Sequence, residues 1–230
     1  MELANAIASD ISGICGDVFS IQIVPPGLIH FELTDSTLAT WLQSLVVGSG
    51  EWGVGSGGAG EDEGDEGDEG DEANNQCPMP NLFAVQYAHA RCCSLVLLAH
   101  REGLIKLREP VPNTSPAFWD VIFPNPLPWL NCDGILQLNH PDERRLIGEL
   151  IQVVDNIECP DVSSSVKWEK VALNLSQAFE KFWSNCRIWG EVKITSPEVV
   201  QARLGLLMAT QSVLKFVLEE NLAVFAPLEL

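Results

Sequence analysis

The spacing of apolar residues divides the chain into segments of different period. Leu3, Ile7 and Ile11 recur at helical intervals and predict a helix at the start of the chain. Two runs rich in β-branched and aromatic residues follow, Val18–Val24 and Leu28–Leu33. The turn Pro25-Pro26-Gly27 between them reads as the join of two strands. A second helix is expected after Thr34 or Asp35, both good N-cap types, with Leu38, Trp41, Leu42 and Leu45 along it. Residues 1–47 therefore predict a small α+β module, too short to be stable unless it packs on something else.

Farther along, the pattern changes to long helices. Leu82–Leu107 is free of proline, rich in Ala, Leu and Val, and predicts one helix. Pro110, Pro112, Pro116, Pro124, Pro126 and Pro128 then predict an irregular loop, because proline lacks the N–H that helices and ladders need. Asn139-His140-Pro141-Asp142-Glu143 reads as a helix start, followed by a stripe of Leu146, Leu150, Val153, Val154 and Ile157. Ser163–Trp189 is the next helical stretch, with Trp168, Val171, Leu175, Phe179, Phe182, Cys186 and Trp189 on one face. Ser196-Pro197-Glu198 opens a last helix, expected to end near Asn221. Four long helices with facing stripes make the predicted fold mainly α, a helical bundle over 79–230 carrying the α+β module of 1–47.

The stretch between them, 48–78, has a different character. Seven glycines fall between Gly48 and Gly60, and residues 61–72 hold nine acids and no base. Such a segment has nothing to bury against the entropy of ordering, and like charges extend it, so a disordered tether is expected. It lacks the D-x-D-x-D-G spacing of a calcium loop.

Charge and cysteines narrow the chemistry. The net charge is −19, yet all 13 Lys and Arg lie between Arg91 and Lys215, and residues 1–60 have none. Non-specific nucleic-acid binding by the chain as a whole is excluded, because it requires phosphate neutralisation; any RNA site must lie in the C-terminal part. The seven cysteines (15, 77, 92, 93, 132, 159 and 186) show no C-x-x-C pair, and the four histidines offer no ligand spacing. Reduced thiols are expected, with no metal site, no cofactor and no catalytic residue. With no apolar run of 18 residues and acid but no base in the first ten, neither a membrane helix nor a leader is expected, and a cytoplasmic chain is.

One motif goes further. Val85-Gln86-Tyr87-Ala88-His89-Ala90-Arg91 resembles the V-Q-Y-A-H-A-R signature that opens the anticodon-binding domain of arginyl-tRNA synthetases, a class I aminoacyl-tRNA synthetase type of helical domain named for its D-A-L-R motif. Leu173–Arg187 resembles that family's F-x-x-F-Y-x-x-C-R-like helix, and the stretch from Ala202 to Leu230 its closing helix and tail. Pro26-Gly27-Leu28-Ile29-His30-Phe31-Glu32-Leu33 is similar to the P-G-F-I-N-F-x-L strand pair of the synthetase's N-terminal add-on domain. No H-I-G-H-like or K-M-S-K-like element occurs, so the resemblance covers the flanks of a ligase and not its ATP-handling centre. It implies a non-catalytic tRNA-binding protein, with arginine tRNA as the expected ligand and a synthetase or tRNA-processing protein as a possible partner. The alternative reading is a protein-interaction module on the same fold. Carried over by position, Tyr87 and Trp183 would stack on bases, Arg91 would pair with phosphate or a base edge, Gln86 would lie nearby, and the tail to Leu230 would close the pocket. His89 is expected to be structural. The departures are Ala84 where an aromatic is common, Glu180 where Asn is common, and a final Leu in place of Met.

Overall fold

The computed structural model describes residues 2–47, 80–108, 120–159 and 166–230. The tether expected over 48–78 lies outside the described residues, as does the first half of the proline-dense stretch.

The N-terminal elements are α1 (Glu2–Cys15), β1 (Phe19–Val24), β2 (Leu28–Leu33) and α2 (Asp35–Val47). β1 and β2 pair antiparallel, Phe19 opposite Leu33 and Val24 opposite Leu28. The register puts Phe19, Ile21, Ile23, Ile29, Phe31 and Leu33 on one face, since alternate residues share a side. α1 packs on the hairpin with the small residues Ala4 and Ala8 buried. Thr34 caps α2, its Oγ1 accepting from the N–H of Thr37 at 3.3 Å, as its residue type led one to expect.

The remaining elements are α3 (Pro80–Arg101), β3 (Lys106–Leu107), β4 (Val121–Phe123), α4 (Pro141–Glu158), α5 (Trp168–Asn185), the single turn α6 (Val192–Thr195) and α7 (Pro197–Phe216), which continues as a π turn over Val217–Asn221. α7 is the central rod. Every residue from Leu204 to Leu214 is buried, because α2, α3, α4 and α5 all pack around it. Gly205 is needed there, since a Cβ at that position would overlap the ring of Trp129. By length and composition alone, Leu82–Arg101 is apolar enough to cross a membrane. Val85, Ala88, Cys92, Val96 and Ala99 are all fully buried in the common core, so that apolarity is used for packing.

α2 belongs to the same core. Leu38, Leu42 and Leu45 join it, and burying a leucine such as Leu42 contributes about 1.5–3 kcal/mol. Two side chains of α2 also fasten the loop after β4. Asp35 Oδ2 accepts from the N–H of Leu136 at 2.9 Å, and Gln43 Oε1 accepts from the N–H of Leu127 at 3.0 Å. The bundle is therefore closed by a helix from the other side of residues 48–79.

Several expected boundaries are corrected. α3 ends at Arg101 rather than running to Leu107. Gly103 takes φ +73°, a left-handed conformation that ends the helix, and the N–H of Leu104 turns back to the carbonyl of Ala99. Leu107 then pairs in a two-stranded ladder with β4, so the proline-dense region is not wholly irregular. α5 ends at Asn185, leaving Trp189 in the loop beyond. Ser196 holds the cap position of α7 without a side-chain cap bond. At α4 the expected start is realised in full: Pro141 is at N1, the His140 side chain accepts from the N–H of Asp142, and Glu143 reaches back to the His140 N–H at 2.8 Å.

Candidate nucleic-acid interface

The motif Val85–Arg91 is helical, and the 100° step between residues deals its side chains onto different surfaces. Val85, Ala88 and Ala90 are buried, and the two alanines allow close helix approach. Tyr87 is 46% exposed, Phe83 one turn before it is 55% exposed, and Arg91 one turn after is half-buried. These three share a face at i, i+4 and i+8.

Arg91 does not hang free. Its guanidinium carbon lies 5.3 Å from the ring centre of Trp183 on α5, a cation–π contact that restricts a long side chain. Trp183 in turn meets Trp189 edge-on, with centroids 5.7 Å apart at 75°. The Trp189 indole nitrogen is buried with no hydrogen-bond partner among the described residues. Tyr87, Arg91, Trp183 and Trp189 thus form a run of π faces and one cation across α3, α5 and the following loop.

The C-terminal tail docks on the same helix, α3, through Gln86 and His89. The π turn after α7 and Ala223, whose φ of +51° is left-handed, redirect the chain. The N–H of Val224 closes the turn on the carbonyl of Leu218 at 2.8 Å. The tail then lies along α3: Gln86 Nε2 donates to the Phe225 carbonyl at 2.9 Å, and His89 Nδ1 is 2.8 Å from the Pro227 carbonyl. Ala226 and Pro227 are buried, whereas Phe225, Leu228 and Leu230 are exposed.

His89 is fully buried between two partners. A carbonyl can only accept, so Nδ1 carries the proton and donates to Pro227. Nε2 then accepts from Gln211 Nε2 of α7 at 2.9 Å. Burial holds this imidazole below its ordinary pKa; the Pro227 carbonyl opposes that, and Lys215 adds to it. The ring is neutral and fixed in one tautomer, which accords with a structural role. Burial also pushes the neighbouring Cys93 thiol up to about 12. Among the described residues no group of three or more His, Cys, Asp or Glu side chains is placed to hold a metal ion.

The structure brings Tyr87, Arg91 and Trp183 together and sets Gln86 against the tail rather than outward. Leu230 is 65% exposed at the tail's end. Sequence reasoning missed Gln211 and Trp189 as members of this region. The signal for Gln211 was present, a polar Thr210-Gln211-Ser212 run inside an apolar helix, since buried polar groups require partners.

A model of the DALR anticodon binding domain matches residues 85–219, more than half of the chain. Among curated proteins, the chain is 31% identical over 144 residues to an arginine–tRNA ligase of Synechococcus sp. (strain JA-3-3Ab), covering 62% of this chain and 21% of that enzyme. It is 29% identical over 147 residues to the arginine–tRNA ligase of Ruminiclostridium cellulolyticum, 64% of this chain and 22% of that enzyme. It is 30% identical over 131 residues to the chloroplastic/mitochondrial arginine–tRNA ligase of Arabidopsis thaliana, 56% of this chain and 16% of that enzyme. The chain thus spans about a fifth of the length of the curated relatives it matches. No solved structure matches. With the signature helix, the closing helix and the docked tail all inside or beside the matched span, the chain belongs to the DALR anticodon-binding domain family of arginyl-tRNA synthetases.

Proposed function

We propose that this chain binds tRNA without ligating an amino acid to it, arginine tRNA being the preferred ligand. The observation that carries the reading is the exposed Tyr87 in line with an Arg91 held against Trp183, beside a docked tail. Splayed bases of a single-stranded loop stack on such aromatic faces, and a cation restrained on an indole loses little entropy on pairing with a phosphate or base edge. The arginine preference is supported by the relatives, which are arginine–tRNA ligases. The non-catalytic part is supported by a sequence with neither an H-I-G-H-like nor a K-M-S-K-like element to grip ATP phosphates.

A mobility-shift titration with fractionated tRNAs tests this. The wild-type chain gives a shift that weakens with salt and is largest for arginine tRNAs, and Tyr87→Ala reduces it. No shift with total tRNA rejects the reading. Arginine-dependent ATP–pyrophosphate exchange by the purified chain overturns the non-catalytic part.

A second reading, a protein-interaction module, is favoured by the net charge of −19 and by exposed apolar side chains on the N-terminal elements, Leu3, Ile14, Leu28 and Phe31. It requires a protein partner that stays bound after ribonuclease treatment.

A further inference from the structure

The tail beside the signature helix is held by one partly buried side chain, Gln86, and two buried ones, His89 and Gln211. We propose that Gln86, His89 and Gln211 are positioning residues: together they dock the C-terminal tail in one register beside Tyr87, and so set the shape of the RNA face. This inference rests on the tRNA-binding reading above.

The relay starts inside the protein. Gln211, on the central rod α7, presents its amide N–H to His89 Nε2. That leaves the proton on Nδ1, aimed at the Pro227 carbonyl. One turn earlier on α3, Gln86 holds the Phe225 carbonyl. The two bonds join side chains three residues apart on α3 to carbonyls two residues apart in the tail. A slip of the tail by one residue would put other carbonyls opposite Gln86 and His89, so this pair of bonds belongs to one register.

The consequence is directional. Ala226 and Pro227 face the protein, and Phe225 and Leu228 face outward with Leu230 beyond them. Burial of Ala226 and Pro227 alone would hold the tail down without choosing its register, because small apolar groups pack without direction. The hydrogen bonds choose it. His89 is fully buried and Gln211 is 8% exposed, so their effect on a ligand passes through the tail. Gln86 and His89 thereby acquire different roles from Tyr87 and Arg91, although all four lie in one seven-residue motif.

The test uses the full chain and four variants, Gln86→Leu, Gln211→Leu, His89→Leu and His89→Asn. Asparagine places a donor near the position of Nδ1, so His89→Asn keeps the bond to Pro227. Three quantities are measured: helical circular dichroism, hydrogen exchange of the tail amides, and Kd for the arginine tRNA fraction. All variants retain the wild-type helical signal. Gln86→Leu and His89→Leu raise tail exchange and Kd by about tenfold, the factor expected when one or two ordinary hydrogen bonds are lost. Gln211→Leu, which frees the tautomer, gives a smaller rise in both. His89→Asn restores both to within about threefold of wild type, a rescue that packing alone does not provide. Unchanged tail exchange in His89→Leu overturns the proposal, as does faster exchange with unchanged tRNA affinity. A wild-type chain that binds no tRNA defeats the functional reading instead, and the exchange data alone then decide whether the relay docks the tail.

Discussion

Trp129 donates its indole N–H to Gln43 Oε1 at 2.9 Å, and the backbone N–H of Leu127 shares that acceptor at 3.0 Å. One amide oxygen on α2 therefore satisfies two donors of a loop more than eighty residues away in sequence. The bond sits at the edge of a cleft of about 490 Å³ between α2 and Pro126–Leu130. Replacing Gln43 with leucine leaves both donors unpaired, at a cost of about 1–3 kcal/mol, moderated by water entering the cleft. Urea unfolding of Gln43→Leu should show a lowered midpoint with an unchanged slope. A midpoint equal to wild type would mean that solvent replaces the amide fully.

The same relationship predicts how the chain can be cut. A fragment of residues 80–230 loses Leu38, Leu42 and Leu45 from the core and uncovers part of α7. It should unfold at lower urea than the intact chain and bind an apolar-surface dye in the absence of denaturant. Adding a peptide of residues 34–47 in trans should partly reverse both changes, since α2 needs its groove and not the intervening residues.

Arg203 and Glu143 form the second long-range tie. The guanidinium Nε lies 2.6 Å from a carboxylate that is 1% exposed, and Arg203 also donates to the Arg187 carbonyl. Glu143 is in addition the reciprocal half of the α4 capping box, so one carboxylate serves a helix start and an interhelical pair. Removing only the cation strands a buried charge, and Arg203→Ala is expected to cost about 3–5 kcal/mol. The double variant Arg203→Met with Glu143→Gln should recover part of that loss, because no uncompensated charge remains. A double-mutant cycle in chemical denaturation measures the coupling.

The thiols provide a test of the packing itself. Burial pushes the Cys186 thiol up to about 12, assisted by the nearby Glu143 carboxylate, and burial acts in the same direction on Cys92 and Cys93. At pH 8 a thiol titrating near 12 is ionised to about one part in ten thousand. A thiolate-directed reagent should therefore modify the exposed Cys132 and Cys159 in the native chain and reach Cys92, Cys93 and Cys186 only after unfolding. Mass spectrometry of the labelled peptides reads this directly. The sign for stability follows from raised folded-state values: the contribution is complete below about 9 and is lost as the pH rises from there toward 12.

What the chain revealed before folding and what it concealed have separate physical causes. The start of α4 was legible because His140, Pro141, Asp142 and Glu143 each satisfy a local rule about orphaned helix N–H groups. The hairpin was legible because Pro25-Pro26-Gly27 separates two runs of β-forming residues. The end of α3 was obscured because Leu104, Ile105 and Leu107 extend its apolar content, yet they are apolar for a ladder and a loop rather than for the helix. Of the proposed RNA face, Tyr87 and Arg91 were named from the signature and Trp183 from the resemblance of Leu173–Arg187, whereas Gln211 was not named. Its role exists only once α7 and α3 are side by side, and no local pattern encodes that pairing. The membership of α2 in the bundle core was hidden for the same reason.

His89 supplies the last prediction, and its sign is opposite to that of the thiols. Its pKa is lowered by burial, with Lys215 of α7 acting in the same direction and the Pro227 carbonyl opposing them; Cys93 and Gln211 also lie against the ring. In the unfolded chain the imidazole titrates near the ordinary histidine value of 6.5, so acid protonates the unfolded state first. The stability contributed by the neutral ring is complete above 6.5 and is lost as the pH falls from there toward the folded value. A single proton bound preferentially by the unfolded state lowers stability by at most about 1.4 kcal/mol per pH unit inside that window. The informative quantity is the difference between wild type and His89→Asn, measured by urea unfolding from pH 7.5 to pH 5. Asparagine cannot titrate, and the acid-dependent loss should shrink in that variant while stability at pH 7.5 changes little. Protection of the tail amides, taken relative to their intrinsic exchange at each pH, should fall in acid for wild type only, because an imidazolium would aim an N–H at the Gln211 amide donor and break the relay that holds Pro227. Equal pH dependence in both proteins would show that His89 keeps its proton balance on folding and that the tail is held by packing instead.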